Sequence, residues 1–154
     1  MTVENEAGER PGKRLRPMGL LIAIGWLLAA CGASPHLAVT DVFGLPGSIG
    51  GVCAAYFTID NPTDQADALI GVSSNIAEVT EMHAIIVGTE GVLAMEWQAQ
   101  VSVPARGRVA FQPGGLHIMF TNLKRDLNAG DSFPLTLHFQ QRGEIQIQVT
   151  VKEL

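Results

Sequence analysis

From Leu37 to Lys152 the chain is a succession of short alternating runs cut by turn residues, and this punctuation limits its fold more than any other feature. Between Glu144 and Lys152, Ile145, Ile147, Val149 and Val151 alternate with Gln146, Gln148 and Thr150, the period-two pattern of a half-buried strand. Between Phe133 and Phe139, Leu135, Leu137 and Phe139 point one way while Thr136 and His138 point the other. The same reading predicts strands over Leu37–Phe43, Val52–Asp60, Ala68–Ser73, Val79–Ile86, Val92–Trp97, Arg108–Gln112 and Leu116–Thr121. Turn signals separate them: Pro46-Gly47, Asn61-Pro62-Thr63-Asp64, Gly88, Gly91, Pro113-Gly114-Gly115, Asn128-Ala129-Gly130-Asp131 and Gly143. Helical periodicity is nowhere convincing. The expectation is one all-β domain, an antiparallel sandwich or barrel with Greek-key connections.

The first thirty residues stand apart from this pattern. Arg10, Lys13, Arg14 and Arg16 precede a compact apolar stretch from Gly19 to Ala30, too short for a comfortable span of about 20 residues. The stretch ends in Leu28-Ala29-Ala30-Cys31, which resembles a bacterial lipobox. That resemblance implies a lipoprotein signal peptide over 1–30, cleavage before Cys31 and lipid on its sulfur. Residues 31–35 would then be a short lipidated tether, and 36–154 the folded domain on the extracytoplasmic or periplasmic side of the membrane. Each acyl methylene adds about 0.8 kcal/mol of anchoring, so several chains give a lasting attachment.

From Cys31 onward six lysines and arginines face twelve aspartates and glutamates. A nucleic-acid partner would need clustered basic residues, so that class is excluded. If Cys31 carries lipid, Cys53 has no disulfide partner. Alternation places Cys53 with Ala55, Phe57 and Ile59, which reads as a small buried hydrophobe rather than a reactive thiol. Blue-copper electron carriers require a cysteine thiolate, and neither cysteine is placed to supply one. There is no phosphate-binding glycine loop, no H-E-x-x-H helix and no paired acid–base carboxylates. Ser73, Ser74 and Ser132 have no recognisable activating base nearby in the sequence. An enzyme is therefore not expected.

The residues that carry chemistry are His83, Met95, His117 and Met119, spaced H-x11-M-x21-H-x-M. Thioether sulfur is soft and uncharged, imidazole also suits copper, and four neutral donors match a tetrahedral d10 Cu(I) ion. On the strand around 116–121, Leu116, Ile118 and Phe120 form the core face. His117 and Met119 therefore project together from the other face, about 7 Å apart at the backbone. Alternation sets His83 with Glu81 and leaves Met82 to core packing. Met95 shares a face with Leu93 and Trp97, which suits either a ligand or a core residue; as a ligand it would have Trp97 as a shielding wall. A copper role requires the sulfur of Met95 to lie beside the 117/119 pair. His36 and His138 are expected not to be ligands.

The four-residue spacing resembles the signature of the bacterial periplasmic copper chaperone PCu(A)C family, H-(M)-x10-M-x21-H-x-M. The similarity extends through Ala54-Ala55-Tyr56-Phe57-Thr58-Ile59-Asp60-Asn61-Pro62, Glu81-Met82-His83, Pro113-Gly114-Gly115-Leu116-His117-Ile118-Met119 and Gly130-Asp131-Ser132-Phe133-Pro134-Leu135-Thr136-Leu137. It implies a cupredoxin-like antiparallel Greek-key β-sandwich that binds Cu(I) through His83, Met95, His117 and Met119. It also implies delivery towards the CuA centre of cytochrome c oxidase, with a CuA-containing oxidase subunit and a Sco-type copper protein as partners. Ala84 stands where many members carry an optional methionine, which removes one auxiliary sulfur. Two other readings compete: a periplasmic copper buffer or resistance protein with the same site, and a metal-free envelope β-sandwich lipoprotein.

Overall fold

A computed structural model describes residues 36–88 and 91–153. The expected signal peptide over 1–30, the lipobox-like stretch ending in Cys31 and the expected tether over 31–35 lie outside the described residues. Ten strands follow one another: β1 (Ala38–Gly44), β2 (Val52–Asn61), β3 (Asp67–Ser73), β4 (Ala77–Val87), β5 (Leu93–Trp97), β6 (Val101–Val103), β7 (Gly107–Phe111), β8 (Leu116–Leu123), β9 (Ser132–Phe139) and β10 (Gly143–Val151). Nine match the runs expected from alternation. The tenth, β6, is three residues long, too short to display a period.

The strands hydrogen-bond in the order β5-β4-β8-β7-β2-β1-β10-β9-β3-β6. This continuous ladder folds over on itself, because side chains far apart in that order meet in the core. Phe120 of β8 packs edge-on against Phe133 of β9, with centroids 5.3 Å apart and planes at 85°. Phe57, Ile59, Ile118, Phe120, Leu135, Leu137 and Val149 are completely or almost completely buried there. Each such side chain contributes about 1.5–3 kcal/mol through removal of apolar surface from water. The architecture is the cupredoxin-like β-sandwich expected. Most pairings are antiparallel, with two parallel contacts in addition: β1 with β10 at Phe43↔Thr150, and β7 with β8 at Phe111↔Leu116. Alternation along a strand cannot distinguish these orientations.

Two irregularities shape the sheet. Between Thr40 and Phe43 the β1–β2 register shifts, and Asp41 adopts a positive φ of 54° in that bulge. A short polar side chain tolerates this conformation better than a branched one. Strand β2 also changes partner along its length. Val52–Ala55 pair with β8, while Phe57–Asn61 pair with β7. That switch brings β2 alongside Ile118–Thr121 of β8.

Cys53, Ala55, Phe57 and Ile59 are all buried, as alternation predicts. Burial pushes the Cys53 thiol up to about 11 by disfavouring the thiolate. Met82 is likewise core, 3% exposed.

Candidate metal centre

The site is built by the register of three neighbouring strands. In the antiparallel β4–β8 ladder, His83 lies directly opposite His117 and Glu81 opposite Met119. In the β4–β5 ladder, Ile85 lies opposite Met95 and His83 opposite Trp97. Directly opposed residues share a sheet face. One face therefore carries Glu81, His83, His117, Met119, Met95 and Trp97, while Met82, Ile118 and Phe120 turn into the core.

The His83 and His117 rings stand 5.9 Å apart between centroids, inclined at 31°. Met95, His117 and Met119 line one cavity of about 360 Å³, walled also by Val52, Tyr56 and Ile85. The sulfur-bearing residue 95 is thus beside the 117/119 pair and not in the core. His83 stands next to this wall, paired to His117, without lining the cavity itself. His117 is buried, Met119 half-buried and Met95 52% exposed. The cavity is therefore closed at its histidine floor and open at Met95. Met95 is exposed because β5 is the outermost strand of the sheet, and all five of its residues face solvent. Trp97, 58% exposed, does not line the cavity and so does not form the shielding wall that alternation allowed.

Both imidazoles are held by acceptors. His117 Nδ1–H donates to the Gly115 carbonyl at 3.0 Å, and His83 Nε2–H donates to Glu81 Oε2 at 3.1 Å. His83 Nδ1 is buried and has no hydrogen-bond partner. Such an atom costs about 1–3 kcal/mol unless something pairs with it. Two thioethers, a buried imidazole and a second imidazole with an orphaned nitrogen suit a soft monovalent cation. Among the described residues no group of three or more histidines, cysteines and carboxylates forms a harder metal site. The four-residue spacing does not reveal that Glu81 and the Gly115 carbonyl hold the two rings. For Glu81 the signal was present, since alternation already set it on the face of His83.

Two other polar groupings are built differently. Contrary to expectation, Ser73 does have an imidazole beside it: His138 Nε2 lies 2.9 Å from its Oγ, and His138 Nδ1 lies 3.2 Å from Glu144 Oε1. The three residues come from β3, β9 and β10, and only cross-strand pairing brings them together. The carboxylate is 71% exposed and well screened, so the array is a polar ladder on an open sheet face. A larger cleft of about 620 Å³ includes Asn61 and Asp67. Asn61 donates to the Gln65 and Pro104 carbonyls, and Asp67 accepts from the amides of Ala68, Gln141 and Arg142. Those groups are occupied in holding loops.

Along the β4–β5 edge runs an apolar rim. Val87, Val92, Leu93, Met95 and Trp97 are all more than half exposed. A cluster of this kind marks a contact surface more often than an isolated exposed side chain does.

The fold and this donor face define a cupredoxin-like domain with a His/Met cluster on its β4–β5–β8 face. The chain belongs to the LpqE-like family, which is named for a lipoprotein and whose model matches residues 35–151. It is 27% identical over 103 residues to a protein named as a lipoprotein from Leifsonia xyli subsp. xyli (strain CTCB07), covering 67% of this chain and 62% of that one. It is 32% identical over 100 residues to an uncharacterized protein of Rickettsia prowazekii (strain Madrid E), covering 64% and 54%. The match thus spans less than two thirds of either relative. Among solved structures, the copper-bound PCuAC domain from PmoF2 superposes with a TM-score of 0.64 at 22% identity, covering 77% of this chain and 93% of that domain. The Cu(I) form of DR1885 from Deinococcus radiodurans superposes with a TM-score of 0.58 at 27% identity, covering 79% and 83%.

Proposed function

We propose that this protein is a membrane-tethered extracytoplasmic copper chaperone. It holds one Cu(I) through His83, Met95, His117 and Met119 and passes it towards the CuA centre of a cytochrome c oxidase subunit, alongside a Sco-type thiol protein. The observation that carries this reading is the register of β4 with β8, which sets His83 against His117 on the face that also bears Met119 and Met95. Support comes from the solved relative with Cu(I) bound at 27% identity, and from membership of a family named for a lipoprotein. Lipid on Cys31 would supply the tether.

The chemistry suits a carrier. Neutral sulfur and nitrogen donors stabilise the cuprous state without the negative charge of thiolates. Transfer to a cysteine-rich acceptor is then downhill, since deprotonated thiolates bind the ion more strongly. Met95 sits at the open edge, so an incoming acceptor ligand would displace it first while His117 still holds the ion from below. The apolar rim of Val87, Val92, Leu93 and Trp97 is where such an acceptor would dock.

The test is an anaerobic Cu(I) competition titration against a chromophoric chelator, using native protein and Met119→Ala. One equivalent bound by the native chain, with marked weakening in the variant, is the expected result. No binding, or binding indifferent to Met119→Ala, would leave a metal-free envelope role as the better account.

A further inference from the structure

His83 and His117 do not offer the same nitrogen to a shared ligand. An ionised carboxylate only accepts hydrogen bonds, so the contact from Glu81 Oε2 places the proton of His83 on Nε2. A carbonyl oxygen also only accepts, so Gly115 places the proton of His117 on Nδ1. A neutral imidazole carries one proton. The lone pairs left for a metal are therefore Nδ1 of His83 and Nε2 of His117. The first of these is the buried nitrogen that lacks any hydrogen-bond partner. Buried polar atoms are paired in folded proteins, and an unpaired one beside a donor cluster points to a ligand.

We propose that copper is bound by Nδ1 of His83 and Nε2 of His117, and that Glu81 is the positioning residue that selects the former. The assignment rests on the copper reading above. Glu81 precedes His83 by one strand repeat and lies opposite Met119, so its carboxylate reaches the donor face. Its hydrogen bond fixes both the tautomer and the rotation of the His83 ring, and makes the ring a stronger donor. The carboxylate does not itself ligate, because a soft cuprous ion prefers the sulfur and nitrogen donors around it. Gly115 performs the same task for His117 through the main chain, where no side-chain change can remove it.

The experiment uses the intact, detergent-solubilised protein labelled with ¹⁵N-histidine and loaded with Ag(I), a soft d10 ion with nuclear spin. One-bond nitrogen–silver couplings are expected at Nδ1 of His83 and Nε2 of His117, and the metal-free protein should give the Nε2–H tautomer signature at His83. Glu81→Leu is expected to lose about tenfold or more in Ag(I) and Cu(I) affinity. Glu81→Gln, whose amide oxygen still accepts from Nε2–H, should stay close to the native value. A silver coupling at His83 Nε2 overturns the assignment, as does unchanged affinity in Glu81→Leu. Equal losses in the Leu and Gln variants overturn the positioning role in favour of charge or direct ligation. These three outcomes leave the copper reading standing. Failure of the native chain to take up Ag(I) or Cu(I) at all overturns both.

Discussion

His83 and His117 lie directly opposite one another in the β4–β8 ladder, with ring centroids 5.9 Å apart, although a long stretch of chain separates them. Both strands turn core residues to their reverse side. Met82, Ile118 and Phe120 alternate with the donor positions and are buried. Donor geometry and core packing are thus two faces of the same strands.

This separation predicts that binding and stability can be dissociated. Met95→Ala removes a side chain that is 52% exposed, so the urea midpoint should barely move, within about 0.5 kcal/mol. Cu(I) affinity in the same variant should drop by about tenfold or more, a difference of about 1.4 kcal/mol, in anaerobic competition against a chelator. A large stability loss with unchanged affinity would place Met95 in packing instead.

Phe120→Ala should behave in the opposite way. The ring is fully buried and meets Phe133 edge-on across the two layers. Truncation should cost about 3–5 kcal/mol, read as a lower midpoint in chemical denaturation. Where the variant remains folded, Cu(I) affinity should stay near the native value, since Phe120 lies on the face away from the donors.

Cys53 gives a pH signature. Its thiol titrates near 11 in the folded protein against 9.0 when unperturbed, because burial disfavours the thiolate. Between those values the native state retains a proton that the unfolded chain has lost. Stability therefore falls as pH rises from 9 to 11, by about 3 kcal/mol at most, and is unaffected by this group below 9. Comparing native protein with Cys53→Ala isolates the effect: the variant should show a shallower decline over that window. At pH 8 the native thiol should resist alkylation until denaturant is added.

The exposed rim should govern hand-over and not affinity. Leu93→Asp places a charge on a side chain that is 68% exposed and outside the donor set. Cu(I) affinity should be unchanged, whereas stopped-flow transfer to a CuA-domain acceptor should slow. Equal transfer rates would argue that docking uses another face.

Alternation alone was enough to outline the fold. Nine of the strands, the inward set Cys53, Ala55, Phe57 and Ile59, and the outward pair His117 and Met119 follow from period-two patterning, because each strand buries one side. Met95 was not decidable this way. Its run alternates as a core strand would, yet β5 is the outermost strand and both its faces meet water. The polar ladder of Ser73, His138 and Glu144 was hidden for a related reason, since its members meet only across strands.

The order of residues thus determined which positions are strands, which side chains leave the core and which donor types the chain carries, all of which depend on neighbours one or two residues away. Register decided the rest. A shift of one residue between β4 and β8 would have placed His83 and His117 on opposite faces. That pairing is set by core packing summed over the whole sandwich, which no local stretch of sequence contains.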